Sequence, residues 1–168
     1  SLRPAYQEEW IEALANILRD LAVRFAGRYP VAMPFLRGPI DVVAGMIETD
    51  RACLELYDHP DEMQRLIDLC ATAWQELSLR FQPLIPPFAG GYVCGGRWVW
   101  APAPCTYSSE DSTTFLSMHT FRRFLLPADQ RIAALAVNDH RGRGAGRPIG
   151  SQQRGFDLAV LDTETTQL

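Results

Sequence analysis

Two adjacent carboxylates, Glu110 and Asp111, have the strongest claim to chemistry in this chain. They close a short extended segment that begins near Cys105-Thr106-Tyr107 and precede a helix opening at Ser117. Acids at the end of a strand, just ahead of a helix, sit where parallel α/β enzymes keep their reacting groups. Asp111, with Glu110 as second choice, could there orient a substrate or accept a proton. The competing reading of Asp111 is a helix N-cap. Upstream, the Gly- and Pro-punctuated stretch from Leu84 to Pro104 carries Tyr92, Arg97, Trp98 and Trp100. So many aromatics in a long loop read as a lid or binding wall, or as plain packing of that loop. Arg97 could hold a substrate carboxylate through a bidentate pair, and Arg37 joins the same candidate mouth.

The elements that must position these groups are legible in outline. Trp10, Leu14, Ile17, Leu18, Leu21 and Phe25 recur at helical spacing, so residues 5–26 read as a helix stopped by Gly27. Tyr29 to Phe35 reads as a buried strand, weakened by Pro30 and Pro34. Arg37-Gly38-Pro39 makes a tight connection into a helical turn from Asp41. Asp58-His59-Pro60-Asp61-Glu62 starts a long helix, with Pro60 in the first turn and acids facing the positive end of the helix dipole. Met63, Leu66, Ile67, Cys70, Trp74, Leu77 and Phe81 form its stripe, and Pro83 ends it. The next helix has Leu116 before its cap and Phe121 one turn in, a hydrophobic staple, and Pro127 should kink it near Arg123. Residues 30–35 and about 104–109 are then expected as parallel neighbours, with the 60–82 helix packed outside.

Composition narrows the partners. A net charge of −4 and a pI near 5.3 give no electrostatic footprint for nucleic acid. No apolar run reaches a membrane-spanning length. Four cysteines without a CxxC spacing suggest reduced thiols in a cytoplasmic protein. All 16 basic residues are Arg, read as codon bias.

From about Tyr29 to Ile132 the sequence resembles the uroporphyrinogen decarboxylase superfamily, which includes the corrinoid-dependent methyltransferases. The match rests on PFLRGPIDVVAGM (34–46), LYDHPDEMQRLIDLCATAW (56–74) and SSEDSTTFLSMHTFRRFLLPADQRI (108–132), whose order and spacing agree with the family's. The resemblance implies an α/β fold, a fragment of a (β/α)8 TIM barrel comprising its central β/α units, with the active site in the barrel mouth. A whole barrel needs roughly 250 residues, so the chain reads as partial. The resemblance places Arg37, Tyr92, Arg97, Trp98 and Trp100 as substrate-binding and Asp111 and Glu110 as catalytic.

Two departures from the family pattern bear on activity. Gly45 stands where the decarboxylases carry a pocket Tyr, and Asp111 where they carry a Ser. Both argue against true uroporphyrinogen decarboxylase activity and toward the methyltransferase branch. That branch implies zinc and a corrinoid, yet no His-x-Cys ligand motif occurs in the chain. The expected partner is a small-molecule or tetrapyrrole substrate, or a corrinoid protein, with neither nucleic acid nor membrane involved. The alternatives are a non-catalytic fragment or pseudoenzyme that binds a partner through open barrel edges, or a true uroporphyrinogen decarboxylase.

Residues 1–136 are read as the partial barrel and 137–168 as a Gly/Arg-rich tail. The family's next strand is due near Ala136, where RGRGAGRP follows instead. The tail is therefore expected to be disordered, and either an out-of-frame product starting near Val137 or a divergent C-terminus. The chain alone is expected to be inactive.

Overall fold

Local signals in the first third of the chain set up three helices. A computed structural model describes residues 3–97 and 99–141. Helix α1, Glu8–Arg24, begins on two acids and ends on Arg24, matching the helix dipole. Gly27, at φ 68°, turns the chain out of it. A two-residue strand β1, Leu36–Arg37, leads through Gly38 into α2, Pro39–Ile47, with Pro39 in the first turn. Glu48 breaks the helix with φ 71°, and α3, Thr49–Asp58, restarts it. The sequence reading passed over α3, whose ten residues bury only Ala52 and Leu56.

Helix α4, Pro60–Phe81, is the organising element. It buries most of the stripe predicted from spacing: Met63, Ile67, Cys70, Trp74 and Phe81 face inward together with Ala71, while Leu66 and Leu77 are half-buried. A single 3-10 turn over Gln82–Leu84 accommodates Pro83. The chain then forms an antiparallel hairpin, β2 Tyr92–Cys94 and β3 Val99–Ala101. Strand β4, Ser108–Ser109, pairs in parallel with β1, Leu36 opposite Ser108 and Arg37 opposite Ser109. A 3-10 helix over Asp111–Phe115 follows, then α5, Met118–Phe124, and α6, Leu126–Arg141.

Ser117 caps α5 by accepting the Thr120 N–H at 3.2 Å, and Leu116 and Phe121 both pack on the core. The predicted bend falls at Leu125, between α5 and α6. Pro127 cannot donate to Arg123, so the helix breaks and restarts there. Helix α6 runs past residue 136; residues 142–168 of the expected tail lie outside the described residues.

Two apolar clusters hold these elements together. The larger gathers α2, α3, α4, α5 and α6 around Ile40, Val43, Ile67, Trp74, Leu125 and Ala128. The smaller joins α1 to Val31, Met33, Phe81 and Ile85. Gln75 donates to the Arg131 carbonyl at 2.9 Å, and Arg131 pairs with Asp68 at 2.8 Å, tying α4 to α6.

The barrel expectation is overturned. The chain is mostly helical, and among the described residues the strands form two short two-stranded sheets, not the central β/α units of a (β/α)8 barrel. Residues 31–35 make no ladder: Pro30 and Pro34 each lack a donor N–H, and pairing begins only at Leu36. Barrel strands are apolar on both faces, whereas Arg37 is exposed and the segment before β4 closes as a hairpin. The parallel relation expected between the 30s and the 104–109 segment survives only as the β1–β4 pair. No helix among the described residues is long and apolar enough to cross a membrane.

Candidate functional site

The ends of β1 and β4 bring Arg37 beside the two acids. Gly38 N–H donates to the Ser109 carbonyl at 2.6 Å, extending the ladder by one step and fixing the Glu110-Asp111 corner against the start of α2. At that corner the two acids part company.

Asp111 faces solvent. Its Oδ2 receives Arg37 Nη1 at 2.6 Å and its Oδ1 receives the Ser109 hydroxyl at 2.9 Å. The Arg37 bond first, then the Ser109 hydroxyl, hold its carboxyl below the usual Asp range. Asp41, whose side chain is only 6% exposed, sits behind this pair. Its Oδ1 accepts the Ser112 N–H at 2.8 Å, and its Oδ2 the Asp111 N–H at 3.0 Å and Arg37 Nη1 at 3.4 Å. The 3-10 helix is thus capped from across the fold by Asp41, not by Asp111.

Glu110 faces inward. Both carboxyl oxygens are buried and meet no well-formed hydrogen bond among the described residues; the nearby Ile40 N–H gives only partial relief. Burial first, then the charges of Asp129 and Asp41, push its pKa up to about 8. Burial also raises Asp129, to about 6. Glu110 is therefore a neutral acid at pH 7. Its side chain fills the space over Gly38, where any Cβ would overlap it.

The exposed face continues beyond Arg37. The Arg37 guanidinium lies over the Phe35 ring at 5.6 Å from its centroid. Phe35 packs on Tyr107 with centroids 5.4 Å apart, and Arg97 lies over Tyr107 at 5.0 Å. The result is one row, Arg37–Phe35–Tyr107–Arg97, with a guanidinium at each end of an aromatic pair. Among the described residues, only Nη1 of Arg37 is engaged by a carboxylate, and Arg97 has no acidic partner within ion-pair distance.

Of the residues singled out from sequence, Arg37, Glu110, Asp111 and Arg97 come together here. Tyr92 belongs instead to the apolar cluster beside α1. Trp100 lies on β3, its indole N–H donating to the Phe88 carbonyl at 3.4 Å. Trp98 lies outside the described residues. Sequence reasoning missed Phe35, Tyr107 and Asp41. Asp41 was signalled by its i,i+4 spacing from Arg37. The ring pair had no signal, because the two rings lie just before strands and 72 residues apart in number.

Comparison with family models, curated proteins and solved structures finds no match for the chain. The superfamily resemblance thus stands on the three quoted segments alone. Zinc, implied by the methyltransferase branch, does not fit: among the described residues no three His, Cys, Asp or Glu side chains converge as ligands. Two apolar hollows of about 160 and 430 Å³ lie against α1, lined by residues such as Leu18, Ala22 and Val31, and carry no carboxylate or guanidinium. Among the described residues, Arg37, Asp111 and Arg97 lie on an open face, not in those hollows.

Proposed function

We propose that the Arg37–Phe35–Tyr107–Arg97 row binds a flat, carboxylate-bearing ligand of the tetrapyrrole class. The observation that carries this is the row itself. Two half-open rings offer apolar contact to a planar macrocycle, and a guanidinium at each end can take a peripheral carboxylate. The superfamily resemblance points to the same compounds. A corrinoid, whose periphery is largely amide, uses the arginines less well.

The two acids support binding more readily than proton transfer. Asp111, ion-paired and with a lowered pKa, is a weak base at neutral pH. It holds Arg37 Nη1, which leaves Nη2 and Nε without a carboxylate partner among the described residues. Glu110 retains its proton but is closed off from that face.

Titration with uroporphyrin and with its octamethyl ester, followed by porphyrin fluorescence, tests the reading. Saturable binding of the free acid is expected, weakened by salt as exposed ion contacts are screened, with the ester bound at least about tenfold more weakly. Equal binding of acid and ester, or none of the acid, removes the proposal.

A second reading, a partner-binding fragment, is favoured by Val99 and Trp100, 57% and 50% exposed along β3. Such an interface would leave porphyrin affinity untouched by changes at Arg97.

A further inference from the structure

Helix α1 carries more apolar surface than the fold covers. Ala15 and Leu18 are buried in the smaller cluster, and Ile11, Leu14 and Leu21 lie half-buried against it. Trp10 and Ile17 stay 68% and 54% exposed. Trp10, Leu14, Ile17 and Leu21 follow one another by four, three and four residues, the spacing of a helix-pairing seam. This row runs along the edge of the core-facing side. Its inner flank is therefore supported by the fold, and its outer flank is open.

The two ends of the row differ in shape. Trp10 projects at the start. Eleven residues on, about 16 Å along the axis, Leu21 borders the larger apolar hollow, about 430 Å³, together with Leu18, Phe25, Tyr29, Pro30 and Val31. Leu21 and Phe25 fall on the same side of the helix as Trp10, so the hollow opens on the seam. The Phe25 ring stands edge-on to Tyr29, with centroids 5.7 Å apart, which builds the rim.

Charge is divided along α1 in the same way. Residues 8–16 hold Glu8, Glu9 and Glu12 and no base, whereas residues 17–24 hold Arg19 and Arg24 with one acid, Asp20. Glu12 pairs with Arg19 at 2.7 Å, Arg24 with Asp20 at 3.0 Å, and Glu8 with Arg80 at 2.7 Å. Glu9 joins no ion pair among the described residues. By helical spacing it shares the solvent-side flank of the row with Arg24. A second α1 laid parallel would set acid against acid. Laid antiparallel, it sets the acidic half against the basic half and a projecting Trp10 against a hollow.

We propose that α1 is a self-association surface on which two copies of the chain pair antiparallel, about a two-fold axis passing between Leu14 and Ile17. Trp10 of each copy meets Leu21 of the other and fills its hollow, Leu14 packs on Ile17, and Glu9 comes within one helical turn of Arg24. The contact is isologous and closes with two copies. An aromatic anchor seated in a pocket at each end is the arrangement that concentrates binding energy. The surface uses no residue of the Arg37–Phe35–Tyr107–Arg97 row, so pairing and porphyrin binding are read separately.

Sedimentation equilibrium of the full chain tests this. The mass should shift reversibly from 18.9 kDa toward twice that value as concentration rises through the micromolar range. Ile17→Glu sets a carboxylate beside the axis and should raise the dissociation constant at least about tenfold. Glu9→Arg and Arg24→Glu should each weaken pairing several-fold, and the double reversal Glu9→Arg/Arg24→Glu should recover most of it. These residues are exposed, so circular dichroism should show each variant folded. A wild-type chain monomeric up to about 0.1 mM, a dimer indifferent to Ile17→Glu, or charge reversals that do not compensate overturn the proposal. A monomer whose melting temperature falls by several degrees in Ile17→Glu would give the row to another segment of the same chain, and overturns it equally.

Discussion

Glu110 and Asp111 are consecutive residues, yet they belong to opposite regions of the molecule. Glu110 lies on the interior side of the β1–β4 end, under Gly38 and near Asp129, without a proper hydrogen-bond partner. Asp111 lies on the outer side, with its charge balanced by Arg37. Glu110 is the last residue before the 3-10 helix that Asp111 begins; the two side chains leave this corner on opposite faces, which differ in dielectric as well as direction. The same functional group becomes a neutral packing element on one side and a fixed anion on the other. The inner face serves the fold, whereas the outer face, with Arg37, Phe35, Tyr107 and Arg97, is the one open to a ligand.

The sharpest way to break this contrast is through pH. The folded pKa of Glu110 lies above its usual 4.5, so the folded state keeps a proton that the unfolded state releases. Its stabilising contribution is full below about pH 4.5 and is lost as pH rises through about 8. Asp129 adds the same sign between its usual 3.8 and about 6. At roughly 1.4 kcal/mol per pKa unit, the loss amounts to a few kcal/mol. Denaturant melts from pH 5 to 9 should show it, and Glu110→Gln, which mimics the neutral acid, should flatten most of the slope. A wild-type profile flat over that range would place Glu110 in water.

Next in size is Gly38→Ala. The added methyl overlaps the Glu110 side chain, and overpacking of this kind costs typically about 1 to 3 kcal/mol. Combining it with Glu110→Ala should recover part of that loss in urea melts, because the overlapping atoms are then gone.

Asp41→Ala should cost about 0.5 to 2 kcal/mol by the usual worth of a cap, since the Asp111 and Ser112 N–H groups lose their acceptor. Asp111→Ala should move the melting temperature least of the four, because it removes an exposed pair with Arg37 and one bond from the Ser109 hydroxyl but no helix-capping acceptor. If Asp111→Ala proves as damaging as Asp41→Ala, the capping role has been given to the wrong acid.

Sequence alone revealed the helices whose apolar stripes are long, α1 and α4, and the Ser117 cap of α5, because periodicity and capping are local signals. It also marked Glu110 and Asp111 as lying at a strand's end. It did not reveal that the strands are two residues long, since pairing depends on what lies across the ladder. Pro30 and Pro34 were the warning that no barrel strand could form there. The opposite fates of Glu110 and Asp111 were equally hidden, because burial of one side chain is decided by Gly38 and Asp129 from distant parts of the chain. The aromatic row required tertiary contact between residues 35 and 107.

The claim that the outer face binds a flat polycarboxylate is tested most directly with Arg37→Gln/Arg97→Gln. Uroporphyrin affinity and the thermal melt are measured on the same preparation. Both side chains are exposed, so the melting temperature should stay within a few degrees of wild type, while affinity falls about tenfold or more through loss of two charge-assisted contacts. An unchanged affinity in a normally folded double variant would contradict the account.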